Sequence, residues 1–136
     1  MHLFSRLEKV KTLEDALGIA FKIQHNYGYG HFALQATQDG QLISIGIFDR
    51  PNDTVVEAVR FLSQLLHDLP SRESNSLIIS ITEKNPDNLS DADLSIFTWA
   101  SNILNSRDNT LLDWIEINDE LFRSYSNTLT PNQAWN

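Results

Sequence analysis

Residues 76 to 98, SLIISITEKNPDNLSDADLSIFT, set an apolar run, an abrupt polar turn and an amphipathic run in immediate succession. Leu77, Ile78, Ile79 and Ile81 form a β-branched run of the kind that fills a strand covered on both faces, so a buried strand is predicted over 77–82. Pro86 has no amide hydrogen and pushes Asn85 out of helical geometry, which makes the chain turn between Glu83 and Leu89. Ser90 then opens a helix, because its hydroxyl accepts from the first turn and Asp93, three residues on, reaches back in a capping box. In α/β folds the loop between the carboxyl end of a buried strand and the next helix is the usual place for chemistry. Candidate residues are sought there first.

The remaining elements follow from periodicity and punctuation. Thr12 and Asp15 make another capping box, and Leu13, Ala16, Leu17, Ala20 and Gln24 share a face, which predicts a helix over 13–25. Two glycines in Asn26-Tyr27-Gly28-Tyr29-Gly30 end it. His31–Thr37 and Leu42–Phe48 read as strands joined through Asp39-Gly40, a hairpin signal. A stripe of Val55, Val59, Leu62 and Leu66 predicts a helix over 54–69 that Pro70 stops. SRESNS links it to the buried strand. Leu94, Phe97, Ala100, Ile103 and Leu104 give a helix from Asp91 to Leu104. Strands are expected at 111–118 and 121–125, with Leu112, Trp114 and Glu116 on one face and Leu111, Ile115 and Ile117 on the other. The expectation is an α/β (α+β) protein with a mixed β-sheet of about five strands and three helices. It forms one domain over 1–136, with 1–11 a lead segment and 127–136 a loosely held tail.

Composition narrows the function classes. A hydrophobic fraction of 41% over 136 residues is enough to bury a core. Cysteine is absent, which excludes thiolate metal sites and disulfides and suits a reducing compartment. The opening MHLFSRLEKVKTLEDA has no apolar core of signal-peptide length, and no segment approaches a membrane span. A cytoplasmic protein without membrane contact is expected. The net charge of −8 repels phosphate backbones, so direct nucleic-acid binding is disfavoured.

The central stretch resembles the signature of the RadC-like branch of the JAB/MPN (JAMM) metalloprotein family: a strand ending in His-x-His-Pro, a polar loop, and Ser-x-x-Asp opening a helix. The corresponding residues are Glu83-Lys84-Asn85-Pro86 and Ser90-Asp91-Ala92-Asp93, with a shorter loop and neither histidine. HFALQATQDGQLISIGIF resembles the family's first hairpin. LLDWIEINDELFRSYS resembles its closing segment, with Trp114 where the family commonly has His. The similarity runs from about Thr12 to Ser126 and implies the JAB/MPN (cytidine-deaminase-like) architecture.

The resemblance also implies a chemistry: zinc held by two His and one Asp, with an upstream Glu acting on the bound water. Glu83 and Asn85 stand at the His positions and Asp93 at the Asp position, while no Glu lies between Glu14 and Glu57. These degenerate positions imply no zinc, no cofactor and no catalytic residue. Family members without the metal set act as scaffolds beside another subunit, so the resemblance implies a protein partner. Two alternatives remain. Glu83, Asp93 and Asp113 would serve a divalent-metal hydrolase with a remodelled site. An acidic inhibitor or nucleic-acid mimic would use Asp87, Asp91, Asp93, Asp113, Glu116, Asp119 and Glu120. Helix capping alone accounts for Asp93, and solvation for Glu83. His25 and His31 flank the glycine turn without an acid between them.

Overall fold

The computed structural model describes residues 9–48, 60, 74–83, 85–86 and 91–129. Of the helix expected over 54–69 only Arg60, itself helical, is described, and the cap at Ser90 and the chain beyond 129 lie outside the described residues. The elements are α1 (Leu13–Tyr27), β1 (Gly30–Thr37), β2 (Leu42–Phe48), β3 (Ser74–Ile81), α2 (Asp91–Asn105), β4 (Asn109–Asn118), β5 (Leu121–Ser124) and α3 (Tyr125–Leu129). They build an α+β fold around one mixed sheet, in the order β2-β1-β3-β4-β5. β3 and β4 are parallel and the other neighbours antiparallel. No described helix is long and apolar enough to cross a membrane.

α1 starts where the capping box places it. Asp15 N–H donates to Thr12 Oγ1 at 3.1 Å, and the amides of Thr12 and Lys11 donate to Asp15 Oδ2 at 3.1 and 2.9 Å. Three otherwise orphaned donors are satisfied there. The helix runs two residues past its expected end, and Gly28, at φ 79°, closes it by donating its backbone N–H to Gln24 O at 3.0 Å. The β1–β2 hairpin turns where Asp39-Gly40 announced it, with Gly40 at φ 87° in the left-handed region.

The pleat of the central strands sorts the core into two layers. Phe32 and Leu34 of β1, Leu77, Ile79 and Ile81 of β3, and Ile115 and Ile117 of β4 pack with Ala16, Ile19, Ala20 and Ile23 of α1. Ala33, Ile78 and Trp114 turn to the other face and meet Phe97, Ala100 and Leu104 of α2. Burying each Ile, Leu or Phe contributes about 1.5–3 kcal/mol. β3 is therefore covered on both sides, as its β-branched run requires.

The structure departs from the sequence reading in three places. β3 begins at Ser74 and β4 at Asn109, inside stretches read as linker and loop, because polar side chains there bond one another in the interior. Leu111 joins Trp114 in the α2 layer instead of opposing it, since the β3–β4 register shifts between Ser76 and Leu77 and passes over Leu112. Tyr125 is not the last strand residue. It opens α3, so Tyr125–Leu129 is helical where a strand end and the start of a loose tail were expected.

Candidate functional site

The carboxyl ends of the parallel strands β3 and β4 carry a polar row. In register, His31 of β1 lies beside Ser80 of β3, Ser80 beside Glu116 of β4, and Glu116 beside Arg123 of β5. His31, Ser80 and Glu116 are buried. Trp114 Nε1 donates to Ser80 Oγ at 2.8 Å, and the same oxygen is 2.9 Å from His31 Nδ1. An indole nitrogen only donates, so Ser80 accepts there and joins β1, β3 and β4 through one hydroxyl.

Tyr125 stacks on Trp114 at 4.1 Å between centroids with planes 20° apart, and its hydroxyl donates to Glu116 Oε1. Burial is the main cause that raises the phenol's pKa far above the ordinary tyrosine range. The bond to Glu116 and the negative charges of Glu116 and Asp93 add to it, and Arg123 opposes. Tyr125 thus stays a neutral donor to a buried carboxylate. The serine–imidazole pair has the composition of an activated nucleophile, but Ser80 is 1% and His31 7% exposed. Its geometry ties strands together and leaves no face of Ser80 open to a substrate.

The residues singled out in the sequence are dispersed around this row. Glu83 and Asn85 are exposed in the loop after β3. That loop is held by its backbone: Asn118 Nδ2 donates to Glu83 O at 3.1 Å and Arg123 Nε to Pro86 O at 2.5 Å. Asp93 sits half-buried in the first turn of α2, where a negative charge suits the helix dipole. Asp113 is fully buried, and its Oδ1 accepts from Trp114 N–H at 2.8 Å and Ser126 N–H at 2.9 Å, while Ser124 Oγ donates to Oδ2.

Asp113 cannot share an ion with the other two. It alternates with Trp114 and lies on the face of Ile115, opposite the face on which α2 and Asp93 pack. It pairs with Leu77, whereas Glu83 lies beyond Ile81, at least about 13 Å further along the strand at 3.3 Å per residue. Among the described residues, no group of three or more His, Asp or Glu side chains is placed to hold one metal ion. The sheet also separates His25, exposed on α1, from His31, which faces Ser80. Of the acids offered as a mimicking surface, Asp113 and Glu116 are interior, Asp91, Asp119 and Glu120 are exposed, and Asp87 lies outside the described residues.

Sequence reasoning missed the row itself. The sequence reading gives Ser80 no role in a strand covered on both faces, sets Glu116 on one face with Leu112 and Trp114, and couples His31 only with His25. The available signal was period two: Trp114 and Glu116 alternate with Ile115 and Ile117, which placed them on one face without saying that the face is covered.

The exposed surface carries a second grouping. Gln24 of α1 grips the β4–β5 turn, its Oε1 accepting from Asp119 N–H at 2.9 Å and its Nε2 donating to Asp119 O at 3.0 Å. Phe21 and Tyr27 stand three residues to either side of Gln24 on the helix, and Phe122, just after the gripped turn, pairs with Ile117 on the face that α1 covers. These three side chains are 37–47% exposed. Compared with known families and curated proteins, the chain matches no family model and no curated sequence.

Proposed function

We propose that the chain is a catalytically inactive domain of JAB/MPN-like, cytidine-deaminase-like architecture that works in the cytoplasm as a protein-binding or scaffold module. In support of this reading, the described helix, three strands, helix and two strands fall in the order on which the resemblance rests, with α3 as an addition and the helix expected between β2 and β3 outside the described residues except at Arg60. The two positions that replace the histidines, Glu83 and Asn85, lie exposed in a loop whose backbone is pinned, and Asp93 is half-buried in the first turn of α2, where its charge helps to keep the Tyr125 phenol neutral.

The observation that carries the binding reading is the exposed apolar set of Phe21, Tyr27 and Phe122 on the α1 side of the sheet, around the Gln24 clamp. Exposed apolar groups held on rigid elements mark interaction sites more often than isolated ones do. A net charge of −8 would steer a basic face towards it.

A photo-crosslinking residue placed at Phe122 in the full chain tests this. A discrete adduct with one other protein is expected, with none from the same probe at exposed Ser95 and none when Phe21→Asp is added. Absence of any adduct from position 122 removes the binding reading. A rise in Tm of several degrees with excess zinc, magnesium or manganese would favour a metal-dependent hydrolase instead.

A further inference from the structure

We propose that α1 carries a self-complementary stripe through which two copies of this chain pair as an antiparallel, two-fold dimer. From Leu13 to His25 the exposed positions of the helix are Glu14, Gly18, Phe21 and His25, and every other residue is half-buried or buried. Spacings of four, three and four place these residues in one line along the outer side of α1, away from the Ala16, Ile19, Ala20 and Ile23 that meet the sheet. Along that line the chemistry runs acid, notch, knob, base.

Gly18 is the residue that points outward. A glycine inside a helix is destabilising relative to alanine, because it has more backbone freedom to lose. Nothing within the described chain requires one at this position. Its φ is not in the left-handed region, and a Cβ built on it would meet no described atom within 4 Å. What the missing side chain leaves is a notch in the outer surface, into which a large side chain of another helix can close. Phe21, one turn on and 37% exposed, is a side chain of that kind.

Charge and shape together select a second copy as the occupant. The pair Gly18 and Phe21 and the pair Glu14 and His25 share one midpoint, between Ile19 and Ala20. A two-fold axis through that point, perpendicular to α1, sets Phe21 against the partner's Gly18 and Glu14 against the partner's His25. An imidazole donates N–H to a carboxylate in either of its ionisation states. Parallel pairing would bring Glu14 to the partner's Glu14 and lose both matches. A contact of one 15-residue helix from each copy belongs to the class below about 1,200 Å² of total buried surface, and the net charge of −8 on each copy opposes approach. The dimer is therefore weak, with a Kd expected on the order of 100 μM.

The test is analytical ultracentrifugation of the purified full chain from about 1 μM to about 1 mM. The sedimenting mass should rise with concentration from 15.5 kDa towards twice that value. Gly18→Gln fills the notch with a better helix former. It should weaken pairing about tenfold and yet raise the Tm of the dilute chain, opposite signs that a folding defect cannot give. Glu14→Lys removes the acceptor for the partner's His25 and adds a cation, and should weaken pairing about fivefold. Adding His25→Glu exchanges the two roles and should recover most of that loss. A mass that stays monomeric at about 1 mM, a Gly18→Gln dimer as tight as the parent's, or no recovery in the exchanged variant would overturn the proposal. A monomeric chain would leave the stripe to a different protein. Phe21, which also belongs to the set around Gln24, is unchanged in all these variants, so the outcome is independent of the crosslinking experiment at Phe122.

Discussion

Asp113 looks like a ligand in the sequence and behaves like a staple in the fold. Its carboxylate takes two backbone amides and one hydroxyl from β4, β5 and α3, so removing it strands three donors in the interior. Asp113→Ala should lower unfolding stability by about 3 kcal/mol in urea titration, and Asp113→Asn, which keeps an acceptor, by about 1 kcal/mol. Equal losses would refute the hydrogen-bond account. Tyr125 makes a pH-dependent counterpart. Its folded pKa is raised above the unfolded value of about 10. Folding therefore holds a proton that the unfolded chain releases, and the stability this confers is complete below pH 10 and declines as pH rises above it. Melting temperature followed from neutral to strongly alkaline pH should fall less steeply in Tyr125→Phe than in the parent chain. The variant should start lower at neutral pH, because Glu116 loses a donor.

At the scale of elements, local chemistry was decisive wherever the partners are close in sequence. The Thr12–Asp15 box spans three residues, and the hairpin turns on adjacent ones. Gly40 illustrates how far such a local signal reaches. The Asp-Gly pair predicts the turn, yet the same glycine also lets the lead segment approach, since Val10 N–H donates to Gly40 O at 2.7 Å and a Cβ would sit 2.8 Å from Val10 O. Gly40→Ala combines that clash with a left-handed φ and should cost about 2 kcal/mol. A loss of only a few tenths in thermal or urea unfolding would show that the lead segment is not packed there. The amino ends of β3 and β4 were not legible, because Ser74 and Asn109 carry no β-propensity. They become strand only when paired with each other and with Gln35.

For the molecule as a whole, the labour is divided between interior and surface: a sealed polar row at the carboxyl ends of β3 and β4, an exposed apolar set on the α1 side of the sheet, and the outward stripe of α1. Phe122→Asp separates surface from core. With 44% of Phe122 exposed, the variant should stay folded within about 1 kcal/mol of the parent while losing the crosslink partner in a pull-down with the identified protein. Loss of folding would mean that Phe122 belongs to the α1 layer and not to a surface. What the chain determined by itself was the α+β class, the capped start of α1, the hairpin, the doubly covered β3 and the periodic face of α2, since each rests on spacings of two to four residues. Which polar groups are interior was decided only by tertiary structure. His31 meets Ser80 across 49 positions, Trp114 meets Ser80 across 34, and Asn109 meets Ser76 across 33. A buried polar side chain is tolerated only with its partner in place, and strand order and register are what bring such distant partners together.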